Sequence, residues 1–224
     1  MNRRIKLMTI ADEISQCRFC EHAGLIPEAK PVFQLPPAAR IGIFSQAPGN
    51  KAHLKGLPFY DPSGVRLRSW LGVDEEAFYE SGKFAIVPMA FCFPGYDGSG
   101  KTGKGGDKPP VPECAERWRD RLMAQLMPQL DLVLLIGQYA QRWHLPELRH
   151  LSMTARVANW RSAMVTPRAG EPILLPMPHP SWRNTAWLKK NPWFEDEFVP
   201  VLQARVRQAM QHSPHQARQL DTTI

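Results

Sequence analysis

RIGIFSQAPG, residues 40–49, joins a short unbroken apolar run to a turn of small residues. An apolar run without polar alternation is the mark of a strand covered on both faces, and such strands belong to parallel sheets. Three more runs share this character: FAIVPMAFC (84–92), LDLVLLIGQ (130–138) and PILLPMPHP (172–180). The segments between them carry a helical period. In ECAERWRDRLMAQLM, Trp118, Leu122 and Leu126 recur at i, i+4, i+8 and share one face. The stretch NPWFEDEF predicts a last helix with Asn191 as N-cap, Pro192 in the first turn and acids behind it. Its apolar stripe is Phe194, Phe198, Leu202 and Val206, with a bend expected at Pro200. Strands alternating with helices predict a parallel sheet between helical layers, and ligands of such sheets bind beyond the carboxyl ends of the strands.

The chain has 224 residues, 43% of them hydrophobic and 22% charged, enough for one substantial domain. We expect a single domain over 1–211 and a frayed polar tail over 212–224, where no apolar period remains. The longest apolar runs, such as LVLLI at 132–136, are strand-sized and argue against a membrane partner. The opening MNRRIKLMTIADE has basic residues but no apolar segment behind them, so a cytoplasmic protein is expected. The formal net charge of +7 suits a polyanionic partner without identifying one.

GYDGSGKT, residues 95–102, fits the phosphate-loop pattern G-x-x-x-x-G-K-[ST]. A working loop of that kind places its lysine in the first turn of a helix. Here two glycines and then Pro109, Pro110 and Pro112 follow, and these cannot build that helix. No nucleoside triphosphate is therefore expected as a ligand.

The four cysteines are Cys17 and Cys20, spaced C-x2-C, then Cys92 at a strand end and Cys114 at a helix start. They are either unrelated thiols in a reducing compartment or one four-thiolate site. Four-sulfur ligation suits zinc or an iron–sulfur cluster, and spacing alone does not separate the two.

Two loops carry the residue types of a binding site. In SQAPGNKAHLKGLPFYDPSG, the Ala47-Pro48-Gly49 turn exposes backbone amides at a strand mouth, and Phe59 follows Pro58 where its ring can stack on a flat group. DPSG (61–64) opens the helix VRLRSWLG, a place where amides can hold phosphate. In MPHPSWRN, His179 lies between two prolines that restrict its backbone. Ser181 and Asn184 can reach phosphate oxygens, and Trp182 and Arg183 suit stacking against bases.

These motifs, in this order, resemble the iron–sulfur (family 4) branch of the uracil-DNA glycosylase superfamily. That branch carries G-E-A-P-G, G-x-P-F-V-G, a C-x-x-C with two later cysteines, and a terminal H-P-S; this chain has SQAPG, GLPFYDPSG, Cys17/Cys20/Cys92/Cys114 and HPSWRN. The resemblance implies a three-layer α/β/α sandwich with a central four-stranded parallel sheet. It implies a [4Fe–4S] cluster on the four cysteines, with zinc as the other occupant. It also implies a monomeric DNA repair enzyme that flips out uracil or a related deaminated base and hydrolyses its N-glycosidic bond. Phe59 would stack on the base, and His179 would stabilise the departing base anion. Gln46, with the backbone of Ala47 and Gly49, would sit beside sugar and base. Ser63, Ser181, Trp182, Arg183 and Asn184 would grip the DNA. The chain departs from the family pattern at Gln46, where the family has Glu, and at Pro88, where an Asn that reads uracil is expected. Asp61 is either a water-activating base or a helix cap. These departures motivate an alternative: a lesion- or DNA-binding homologue that captures abasic DNA covalently.

Overall fold

The computed structural model describes residues 3–98, 105–165 and 171–211. Four strands form one sheet: β1 (Ile41–Phe44), β2 (Phe84–Ile86), β3 (Leu132–Ile136) and β4 (Ile173–Met177). Their order is β2-β1-β3-β4 and every pairing is parallel. Register sets Ile41 beside Phe84 and Leu132, and Leu132 beside Ile173. Pro176 falls within β4, an edge strand, where a missing N–H breaks no ladder.

The helices are α1 (Arg3–Ser15), α2 (Phe19–His22), α3 (Asn50–Lys55), α4 (Pro62–Leu71), α5 (Glu75–Glu80), α6 (Pro112–Leu126), α7 (Gln138–His144), α8 (Met153–Ala158), α9 (Trp160–Val165), α10 (Thr185–Lys190) and α11 (Val199–Gln211). Strand side chains alternate between two cores. Ile41, Ile43, Leu132, Leu134 and Ile136 join Leu67, Trp70, Phe78, Val157, Phe194 and Leu202, from α4, α5, α8 and the C-terminal helical segment. Phe44, Val133 and Leu135 join Leu7, Ile10 and Ile14 of α1 and Trp118, Leu122 and Leu126 of α6 on the other face. The protein is therefore the three-layer α/β/α sandwich with a four-stranded parallel sheet that the sequence predicts. None of the helices is long and apolar enough to cross a membrane among the described residues.

Three details differ from expectation. β2 stops at Ile86 rather than running to Cys92. The chain still follows β1 beyond that point: the amides of Val87, Met89 and Ala90 donate to the carbonyls of Ile43, Ser45 and Gln46 at 2.9, 2.9 and 3.0 Å. Asn191 does not N-cap the last helix with its side chain; its Nδ2 donates to Trp187 O at 2.8 Å and its Oδ1 accepts from Trp193 Nε1 at 3.3 Å. The irregularity expected at Pro200 lies just before it, as a π-helical turn over Phe194–Phe198 leading into α11. That wider turn keeps Phe194, Phe198, Leu202 and Val206 fully buried, as their spacing predicts. Residues 99–102 of the phosphate-loop pattern and the tail 212–224 lie outside the described residues. Residues 105–111 form no helix, and the next helix starts at Pro112.

Candidate functional site

β1 is the point where the sheet's connections diverge, with β2 on one side and β3 on the other. Beyond the carboxyl ends of the strands opens a cleft of about 830 Å³. Gln46, Ala47, Gly49, Phe59, Asp61, Ser63, His179, Ser181, Trp182, Arg183 and Asn184 all line it. The structure thus brings together every candidate site residue other than the cysteines.

Backbone bonds from residues 87–90 hold the first loop against the β2 exit. Pro88 is among the residues that line the cleft. Its carbonyl accepts a hydrogen bond from Nη1 of Arg119 at 3.1 Å, behind the wall. At this position the chain therefore offers the cleft no side-chain amide.

Phe59 has a left-handed backbone, φ 56°, the one such non-glycine among the described residues. A side chain gains that conformation only where its surroundings impose it. Two contacts do so here. Tyr79 donates its hydroxyl to Pro58 O at 2.8 Å, and Gly64 packs so closely that an added Cβ would lie 1.7 Å from Phe59 O. Asp61 N-caps α4, its Oδ1 accepting from Gly64 N at 2.9 Å. The cap reading of this residue is therefore correct, and the same carboxylate also lines the cleft.

His179 follows β4. The Ser181 amide donates to its Nδ1 at 3.2 Å, and Asn184 Nδ2 donates to its carbonyl at 2.7 Å. Burial lowers its pKa to about 4; the Asp61 carboxylate pushes upward and the Arg183 cation downward. The imidazole is neutral at pH 7. With Nδ1 accepting, the remaining proton sits on Nε2, which makes that nitrogen a donor. Arg66 of α4 donates to Ser181 O at 3.1 Å and so ties the last loop to the α4 segment. The Trp182 indole stands 77% exposed. An apolar ring held out on a short 3-10 turn is placed to meet a partner rather than to fill a core.

Sequence reasoning missed one wall of this cleft. The two ends of the excursion between Cys92 and Cys114 pair with each other: Asp97 N donates to Gly106 O at 2.8 Å and Lys108 N to Gly95 O at 2.9 Å, around an antiparallel bridge of Tyr96 with Asp107. This pairing places Tyr96, Gly105, Gly106 and Asp107 on the cleft. Arg183 lies flat against Gly106, where an added Cβ would meet both of its terminal nitrogens at 2.8 Å. Partial burial raises the Asp107 pKa; Arg183 opposes this and Asp61 adds to it. The only sequence signal was the acid that ends a glycine-rich run.

Cys17, Cys20, Cys92 and Cys114 line a second, small cavity with Ile14, Ile26, Ala90, Phe91 and Trp118. The Phe91 amide donates to Cys114 Sγ at 3.4 Å. Burial, together with the other cysteines of the set, pushes the Cys92 thiol up to about 11 and Cys114 up to about 12. Cys20 is raised for the same reasons. Among the described residues no three His, Cys, Asp or Glu side chains are grouped so as to hold a metal ion. As a donor set, however, four thiols from three chain segments in an apolar recess suit a soft, sulfur-bound centre.

Compared with known protein families, residues 32–203 match the family described as the Uracil DNA glycosylase superfamily.

Proposed function

The chain belongs to the uracil-DNA glycosylase superfamily, and from that membership we propose that it excises uracil or a related deaminated base from DNA. One observation carries the reading above all others: the neutral, Nε2-protonated imidazole of His179 faces the cleft that Phe59 and the Ala47–Gly49 turn also line. The damaged nucleotide leaves the stack and its base lies on the Phe59 ring. Water adds to the anomeric carbon as the N-glycosidic bond breaks, and the bonding pair departs with the base. Nε2–H of His179 donates to the base oxygen on which that negative charge collects, at no cost of protonating the imidazole first. Trp182 fills the gap left in the stack while Arg183, Ser63, Ser181 and Asn184 hold phosphates. Gln46 lies beside the sugar and orients water without accepting its proton.

The four cysteines hold a [4Fe–4S] cluster in this reading. A cluster spreads its thiolates over several irons, whereas zinc draws four sulfurs onto one ion at about 2.3 Å. Its duty is to fasten the Cys17–Cys20 turn to both ends of the 92–114 excursion. Brown colour on purification, lost on Cys17→Ser or Cys114→Ser, is expected; a colourless protein containing zinc overturns this part.

A labelled oligonucleotide carrying one uracil, incubated with excess protein and then heated in alkali, tests the activity. Cleavage at the uracil, absent with His179→Ala, is the expected result. Gln46 and Pro88 favour one second reading, a lesion-binding homologue without turnover. An intact strand together with a retarded band that survives denaturation supports that reading instead.

A further inference from the structure

Resting on the glycosylase reading, we propose that Asp107, supplied by the excursion between Cys92 and Cys114, is the general base that activates the attacking water. Three observations point to it. First, Gln46 has no basic oxygen at neutral pH, so the Ser45–Gly49 turn itself supplies no base. Second, the Asp107 carboxylate lies against that same loop: a Cβ added to Gly49 would be 3.2 Å from its Oδ2. The side chain therefore reaches the turn beside which the sugar is held. Third, the other acid of the cleft is less suited. Asp61 Oδ1 is already engaged by the Gly64 amide as the N-cap of α4. Among the described residues the Asp107 carboxylate accepts no such backbone bond, and partial burial with the nearby Asp61 charge makes it more basic than an ordinary aspartate.

The step balances without a cofactor. A water O–H proton passes to a carboxylate oxygen of Asp107 as the water oxygen bonds to the anomeric carbon. The C–N bond breaks, its electron pair leaves with the base, and His179 Nε2–H stabilises that anion. Asp107 then returns its proton to solvent or to the released base. Arg183, packed on Gly106, keeps the hairpin end in place and lends positive charge to the carboxylate.

The test is single-turnover excision from the uracil strand by Asp107→Asn, Asp107→Ala and Asp107→Glu, with affinity for the same strand measured in parallel. Loss of a general base lowers the rate by roughly 100-fold or more, so Asn and Ala are expected to fall that far while affinity changes by no more than a few-fold. The wild-type rate rises with pH through the Asp107 titration, and that acidic limb flattens in Asp107→Asn. Other charged groups facing the cleft are Asp61, His179, Arg66, Arg183 and Lys51, and all are retained in these variants. Asp107→Glu restores part of the rate and the limb with it. An active wild type with an undiminished Asp107→Asn rate overturns the assignment alone. A wild type inert on uracil, hypoxanthine and xanthine strands overturns both it and the glycosylase reading.

Discussion

Arg119 donates from Nε at 3.0 Å and from Nη2 at 2.8 Å to a single atom, Nε2 of His144. The guanidinium is buried, 4.5 Å from the Phe44 ring centroid, and its Nη1 holds the carbonyls of Val87 and Pro88 at 3.2 and 3.1 Å. One side chain on α6, the helix that also carries Cys114, thus braces the wall of the cleft at Pro88. His144 serves as an acceptor here, and burial together with the Arg119 cation lowers its pKa to about 3.

Stability is therefore expected to fall in acid before any carboxylate is lost. Folded His144 and His179 take up protons only near 3 and 4, against an ordinary value of 6.5. Between those limits the unfolded chain binds more protons, so stability drops as pH falls below 6.5. The slope reaches at most about 1.4 kcal/mol per pH unit for each histidine, and less in practice because both are partly exposed. Above 6.5 neither contributes further change. Urea midpoints at about pH 7.5 and about pH 5 measure this; an unchanged or rising midpoint in acid contradicts it.

Replacing Asp61 separates its two duties. Asp61→Asn keeps a good cap and should leave stability within about 0.5 kcal/mol, whereas Asp61→Ala costs about 1 kcal/mol. Burial is the main cause of the raised Asp107 pKa, and either change removes the Asp61 charge that adds to it. The acidic limb of the excision profile should consequently move to lower pH. A limb that stays put would show that the two carboxylates do not sense each other.

Gly64 is the position where backbone geometry is least forgiving. Gly64→Ala forces a methyl into the Phe59 carbonyl, 1.7 Å away, and should destabilise by about 3 kcal/mol while displacing the Phe59 ring, the surface proposed for the base. Phe59→Gly removes the left-handed strain and should offset about 1 kcal/mol of the lost ring packing, while abolishing stacking on the base. Thermal melts of the two variants check the order.

Trp182→Ala should leave the melting temperature unchanged, since the indole is 77% exposed. Lost stacking of about 1–3 kcal/mol would weaken DNA affinity roughly tenfold. Fluorescence titration with a short duplex measures both the affinity and, in the wild type, the change of indole environment. A variant that binds as tightly as wild type removes the wedge role.

The sheet was legible because each strand is an unbroken apolar run, and both faces of every strand are covered. The loops were legible because proline, glycine and histidine mark them in a fixed order. Other features were not readable in one dimension. The N-terminal helix α1 buries Leu7, Ile10 and Ile14 but carries so many polar neighbours that its stripe is faint. Arg119 looks like any surface arginine of an amphipathic helix; only the fold supplies the carbonyls and imidazole that let it be buried. Asp107 escaped because its place depends on a long-range backbone pair, Tyr96 with Asp107, that no periodicity announces. The π-turn before Pro200 likewise answers a packing need of Phe194 and Phe198 that spacing alone does not express.

The Tyr96–Asp107 pair also bears on how this protein can be altered. The backbone pairs of 95–97 with 106–108 close the chain at the base of the excursion and hold the wall there. The entropy of closing a loop grows only logarithmically with its length. Segments of different length and composition can therefore be exchanged at this point at small thermodynamic expense. The excursion is accordingly a natural port of entry for evolutionary insertion, or for grafting a tag or a second recognition module directly beside the cleft.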